Sequence, residues 1–301
     1  MEPLWDRKLV MVTGKGGVGK TTITAALVRR AAEAGRRVLA AEVSNDASTG
    51  SPLMQRLGRS ELRGTEPVSL GLNIDGVRLV PSAGHRQFLQ AALRVRVLVD
   101  AAMRSAALKR FLMAAPAFPE VGTLFQLVEL LRRDTYDHVI IDLPATGHAL
   151  GLASLPRTVL KVVPGGLIGN AIREGLDTMT DPQRSHAVLA SLPEAMPVSE
   201  TVELHRGLEK LGIRVGGLIL NRLPLDPFTD AERDALDLHL AQGERRLMGS
   251  REFRRLDRAR TARQRFLNEA PNGTPQLHLP EIGGDDQAVL EGVIRELGGP
   301  R

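Results

Sequence analysis

The nine residues Gly14-Lys15-Gly16-Gly17-Val18-Gly19-Lys20-Thr21-Thr22 constrain this chain more than any other stretch. They match the pattern G-x-x-x-x-G-K-[ST] at Gly14, Gly19, Lys20 and Thr21. Glycines let a backbone curl until successive amide N–H groups converge on phosphate oxygens. The apolar run Lys8 to Thr13 before the loop suits a buried strand. The Ala- and Leu-rich run Lys20 to Ala34 after it suits a helix closed by Gly35. A helix that starts at such a loop aims the positive end of its dipole at the anion. This unit predicts a nucleotide site formed by Gly14, Gly16, Gly17, Val18, Gly19, Lys20, Thr21 and Thr22. Lys20 is expected to reach the β- and γ-phosphates of ATP, and the Thr21 hydroxyl to join the Mg²⁺ shell.

Composition narrows the class further. With 301 residues, 43% apolar and 25% charged, the chain resembles ordinary globular proteins rather than disordered ones. It has no cysteine, which removes disulfides, thiolate metal sites, iron–sulfur clusters and cysteine nucleophiles. Met1 to Lys8 shows no apolar segment of a signal peptide, and no apolar run approaches the roughly 18 residues of a membrane span, so a cytoplasmic location is expected. Only six of the 40 basic residues are lysine, and two of them, Lys15 and Lys20, stand in the glycine loop. In a chain that otherwise uses arginine, this points to a site that needs compact, flexible point charges.

Val38–Val43, Val77–Val80, His138–Leu143, Val159–Val163, Ala187–Leu192, Val215–Asn221 and Gln276–Leu279 read as further strands, mostly separated by helical patterns. Gly64–Gly76 reads as loop. The fold predicted is α/β, a doubly wound, mostly parallel sheet in a single domain spanning 1–301. An α-helical subdomain is expected within it at 84–134. Asp230 to Glu269 is expected to be helical, as is Asp285 to Leu297. The strand ending at Asp142 would place its carboxylate at the sheet's carboxyl edge, beside the phosphates, where it can hold Mg²⁺ or its water. The segment 144–148 that follows reads as a switch loop, with Gly147 permitting backbone change.

A resemblance now enters. The loop GKGGVGKTT resembles the deviant phosphate loop of the ParA, MinD, nitrogenase-iron-protein and arsenite-pump ATPases. In that class the extra lysine, here Lys15, reaches the partner's phosphates across a nucleotide-sandwiched dimer. The stretch Asp142 to Leu150 is similar to the D-T-A-P-T-G-H-x-L motif of the ArsA and tail-anchored-protein-targeting ATPases, matching at Asp142, Thr146, Gly147, His148 and Leu150. Leu192-Pro193-Glu194 and Ser199-Glu200-Thr201 resemble the family's segment before the adenine pocket. Leu218–Leu223 resembles the strand whose Asn recognises adenine, which implies that role for Asn221. Leu279-Pro280-Glu281-Ile282-Gly283 is similar to the carboxy-terminal P-x-E-x-x-G loop, which implies a nucleotide contact at Pro280.

Departures matter as much. The family's first switch reads S-T-D-P-A, its Asp positioning the attacking water. Here ungapped alignment puts Ser44 at that Asp and Asp46 two places later. Either Asp46 acts through a shifted loop, or Glu42 substitutes, or hydrolysis is slow or absent. The absence of cysteine argues against thiolate-based arsenite transport and against a paired-cysteine zinc site. One phosphate loop implies a homodimer, or a heterodimer with a related ATPase. The insertion carries Leu89, Leu93, Val97, Met103, Leu108, Phe111, Leu112 and Met113, a candidate client surface whose competing reading is its own core. The arginines from Arg251 to Arg265 read as a solvated face or salt links rather than a nucleic-acid site, because no aromatic stacking pattern accompanies them. Acidic flanks on the last helix argue against direct membrane contact.

The function expected is a dimeric ArsA-like ATPase that couples Mg·ATP binding and hydrolysis to client or partner binding. The alternatives are a nucleotide-binding regulatory subunit with little turnover and a ParA/MinD-like positioning ATPase.

Overall fold

The computed structural model describes residues 3–44, 50–59, 64–84, 118–162, 164–241, 249–270 and 273–298. Asp46 and residues 85–117, most of the expected helical insertion, lie outside them.

Apolar strands that are covered on both faces belong to the middle of a layered fold, and β1 (Leu9–Gly14) is buried at every residue. It is flanked by β5 (His138–Asp142) and β6 (Ser185–Ser191), both parallel to it. The sheet continues outward through β2 (Val38–Val43) to β4 (Ile74–Leu79) and β3 (Val68–Gly71) on one side. On the other it continues through β7 (Val215–Leu223) to β8 (Gln276–Pro280), giving the order β3-β4-β2-β5-β1-β6-β7-β8. Every pair is parallel except β3/β4. The chain winds first to one side of β1 and then to the other. The loop after β1 therefore sits at the topological switch point, where such sheets leave a crevice.

Side chains alternate between two cores. Val10 and Val12 of β1 face α1 (Lys20–Glu33), α2 (Pro52–Arg56) and α9 (Asp286–Gly298). Leu9 and Met11 face the opposite layer, which includes α3 (Phe118–Arg132), α4 (Thr146–Val162), α5 (Gly166–Thr180) and α6 (Ala195–Lys210). Fully buried side chains such as Leu27 and Ile140 each contribute about 1.5–3 kcal/mol relative to exposure. α9 packs along α1 through Leu290, Val293 and Ile294, so its apolar side belongs to the core. Two more helices, α7 (Asp230–Ala241) and α8 (Ser250–Glu269), precede β8. They meet the helical expectation over the described residues of Asp230 to Glu269.

Two expectations are corrected. Of the strand expected over Val159–Val163, the described residues 159–162 are helical: they lie in α4, where Leu152, Leu155 and Val159 recur at helical spacing and are buried. A local run of β-branched residues gave way to that longer period. Gly64–Gly76 is not all loop either. Leu72 and Asn73, both with positive φ (50° and 60°), turn β3 back antiparallel onto β4. Leu at a left-handed position hides the turn from a reading that looks for Gly or Asn pairs.

Candidate active site

The loop between β1 and α1 is shaped by what its glycines allow. Gly14 has φ +148°, and a Cβ there would lie 2.2 Å from Ala190 O of β6. Gly19 has φ +92°, and a Cβ there would lie 2.4 Å from Asn221 Nδ2. Both places demand glycine. Gly16 and Gly17 have open space instead, the condition for a ligand to approach the backbone. Helix α1 begins at Lys20 with no side-chain cap, so its first amides remain available to an anion.

The side chains of the loop divide in direction. Thr21 Oγ1 donates to Asp142 Oδ2 at 2.6 Å, joining the start of α1 to the end of β5. Asp142 is buried and Oδ1 has no partner, and nearby Thr146 Oγ1 is also buried and unpaired. Burial pushes the Asp142 carboxyl above its ordinary value, while the Thr21 bond and the Lys20 charge oppose this. Lys20 Nζ donates to Lys15 O at 3.0 Å. Burial lowers the Lys20 pKa, against the pull of Asp142. A buried carboxylate with one spare oxygen beside a hydroxyl is a donor set that fits a hydrated Mg²⁺ ion. Lys15 turns away from this corner, its ammonium 2.8 Å from Glu200 Oε1 of α6.

On the other flank, Asn221 at the end of β7 is buried and donates Nδ2 to Val18 O of the loop at 2.8 Å. A cavity of about 790 Å³ opens over the carboxyl ends of β6, β7 and β8. Its walls include Met196, Arg222, Arg255, Arg258, Arg265 and Glu281. Pro280 closes β8 beside it, in register with Leu223. One face of the arginine-rich α8 lines this cavity. Arg255 pairs there with Glu281 and Arg265 with Glu269, and elsewhere on the helix Arg260 pairs with Asp230.

The first-switch side has two surprises. Glu42, adjacent to Asp142 in the β2/β5 register, accepts from Ser51 Oγ and from the Leu53 amide, and burial pushes its carboxyl up. Ser44, where alignment placed the missing acid, accepts from Arg78 Nη2 at 2.8 Å. The segment expected to be a loop at 144–148 is helical from Thr146, so Gly147 and His148 stand in the first turn of α4. The exposed His148 has its Nδ1 3.7 Å from Glu120 Oε1. Arg56, which sequence reading missed, donates Nε to Thr22 Oγ1 at 3.0 Å. No motif marks that arginine; only the return of α2 onto the loop reveals it.

The model for the family described as "Anion-transporting ATPase" (ArsA ATPase) matches residues 7–165, just over half of the chain. This chain belongs to the ArsA ATPase family. ArsA-type relatives include the arsenical pump-driving ATPase of Escherichia coli, 27% identical over 259 residues that make up 79% of this chain and 43% of the relative. The ATPase BagA of Mycobacterium tuberculosis (strain H37Rv) is 28% identical over 228 residues, 71% of this chain and 65% of that one. The arsenical pump-driving ATPase of Acidiphilium multivorum is 27% identical over 79% of this chain and 43% of its own. The chain thus spans less than two thirds of the length of each of these ArsA-family relatives. Among the described residues, no helix is long and apolar enough to cross a membrane.

Proposed function

We propose that this chain hydrolyses Mg·ATP as a dimer and uses the nucleotide state to change its affinity for a client or partner protein. The observation that carries the reading is the Thr21–Asp142 contact with Asp142 Oδ1 left unpaired beside Lys20. A bound cation would satisfy the spare oxygen and offset the cost of burying the charge. Thr21 and Asp142 would hold the Mg²⁺, which supplies charge neutralisation of the phosphates.

The protein's own residues do the rest. Amides of Gly16 to Lys20 bind the phosphate oxygens, and Lys20 neutralises charge that gathers on the β,γ-bridge as water attacks the γ-phosphorus. The bond to the bridging oxygen breaks, leaving ADP and inorganic phosphate. Asp46 orders the water, and Lys15 leaves Glu200 to meet phosphate, across the interface of a homodimer or a heterodimer with a related ATPase. Asn221, Pro280 and the cavity beside them receive the nucleoside. The client meets the helical insertion at 84–134. Arsenite carriage on thiolates is not part of this function, because the chain has no cysteine.

Steady-state ATP hydrolysis by the purified chain, with Lys15→Ala, Lys20→Ala and Asp46→Ala alongside, tests the reading. Turnover that rises with Mg²⁺ and vanishes in both lysine variants supports it. Tight Mg·ATP binding without turnover favours a regulatory subunit, a reading that Ser44 in place of the switch acid also supports.

A further inference from the structure

The first turn of α1 contains an internal contrast. Thr24 does what threonine does by default in a helix, donating its hydroxyl back to the carbonyl four residues earlier, Lys20 O, at 2.9 Å. The equivalent acceptor for Thr22 is Val18 O. That oxygen is already engaged by Asn221 Nδ2 at 2.8 Å. Thr22 makes no back-bond. Its Oγ1 instead accepts from Arg56 Nε at 3.0 Å.

A hydroxyl has one proton to give and two lone pairs with which to accept, and guanidinium can only donate. The Arg56 bond therefore fixes Thr22 Oγ1 as an acceptor on one side, and its proton must point elsewhere. Thr22 makes no back-bond to Val18 O, so its proton is left for a ligand at the mouth of the phosphate loop.

We propose that Arg56 is a positioning residue for the nucleotide. It holds the Thr22 hydroxyl as a donor to a phosphate oxygen. This rests on the nucleotide-binding reading of the loop and adds a residue to it. The ligand class is a nucleoside di- or triphosphate, and the site feature is a pre-aimed hydroxyl.

The remaining contacts of Arg56 fit this role. Nη1 donates to Pro52 O at 3.3 Å, within α2 itself. Nη2 lies 3.6 Å from Asp286 Oδ2, a largely exposed carboxylate on α9. An exposed pair at that distance contributes little, so it does not explain why the guanidinium is turned onto Thr22. Because α2 follows the first-switch segment in sequence, the phosphate loop takes one of its donors' orientations from that side of the sheet.

The test is a double-mutant cycle read as Kd for Mg·ATP and Mg·ADP and as the split between KM and kcat. Arg56→Ala and Thr22→Val are each expected to weaken nucleotide binding about fivefold to tenfold, appearing in KM with kcat within about twofold. The double variant is expected to bind no worse than Thr22→Val alone, since the arginine acts through that hydroxyl. Arg56→Lys, which keeps a donor, should recover part of the affinity. Asp286→Asn should leave binding and turnover unchanged. Additive losses, or a lowered Tm in Arg56→Ala with unchanged nucleotide Kd, would overturn the proposal and leave nucleotide binding intact. Failure of the wild-type chain to bind either nucleotide would overturn both readings. If Arg56→Ala does not fold, Arg56→Lys and the isosteric Thr22→Val still decide the matter: equal Kd to wild type in both removes the proposed role.

Discussion

The phosphate loop has two flanks, and they are built on opposite plans. Toward β5 and β2 lie two buried carboxyl groups, Asp142 and Glu42, side by side in register. Toward β6, β7 and β8 lies a cavity of about 790 Å³ whose charged walls are mostly arginine. On the acidic flank the carboxyl groups are buried, and such charges are expensive to bury. The basic flank is open, and its charges are partly solvated. The difference teaches how one loop would serve the proposed ligand with its unlike ends: a cation with its polyphosphate at one end, a nucleoside at the other. Burial on the acidic side makes each polar atom decisive. Exposure on the basic side spreads recognition over more groups, so each one there should matter less.

The sharpest way to break this comparison is Asp142→Asn. It keeps an acceptor for Thr21 Oγ1 and removes the charge that would face Mg²⁺. Hydrolysis should fall by about 100-fold or more, in the range seen when one preorganised electrostatic group is lost from a site. Metal-free nucleotide binding should survive or tighten, because one negative charge near the phosphates has gone. The check is a Mg²⁺ titration of turnover beside equilibrium binding in chelator. Retained turnover would mean that the acidic flank is structural.

On the basic flank, Asn221→Ala removes the amide that holds Val18 O. Loss of one buried hydrogen bond from the loop predicts a rise in KM for ATP of about tenfold, with a smaller change in kcat. An effect on kcat as large as that of Asp142→Asn would erase the proposed division between the flanks.

The two flanks were also unequally legible in the sequence. Gly14, Gly19, Lys20, Thr21 and Asp142 could be placed in advance because their spacing is dictated by local geometry. A strand must end where a helix begins, and the neighbouring parallel strand must bring its last residue alongside. The β3/β4 hairpin and the end of α4 were misread because left-handed Leu72 and the Val-rich 159–163 run obey tertiary packing rather than local preference. The Lys15–Glu200, Arg56–Thr22 and Asn221–Val18 contacts join residues 185, 34 and 203 positions apart. Nothing local encodes them. Asn221 was expected at the base, and its amide is found bracing the loop, a role that only the folded sheet makes visible.

Glu200→Gln sharpens the comparison from the loop's own charge. Lys15 and Lys20 differ in surroundings: one lies beside a carboxylate on α6, the other is half-buried over Asp142. Freeing Lys15 should lower KM for ATP by about twofold to fivefold, the scale of a partly exposed ion pair. If Lys15 serves a second subunit, the gain should grow with protein concentration, which sedimentation under saturating Mg·ATP would follow.

The smallest effect expected belongs to Glu42, and its sign is informative. Burial raises its carboxyl above the ordinary value of 4.5, helped by the neighbouring Asp142 charge and opposed by the bonds from Ser51 and Leu53 and by Arg78. In the window just above pH 4.5 the folded chain therefore keeps a proton that the unfolded chain has lost. Proton binding is greater in the folded state, so stability falls as pH rises through that window and levels off above the folded pKa. Urea midpoints of the nucleotide-free chain without Mg²⁺ should decline across this range. Glu42→Gln cannot titrate and should flatten part of the decline, leaving the share due to Asp142, whose carboxyl burial also raises. An unchanged slope in Glu42→Gln would place the whole burden on Asp142. The two acids would then be one working group and one silent hydrogen-bonding filler, rather than a coupled pair.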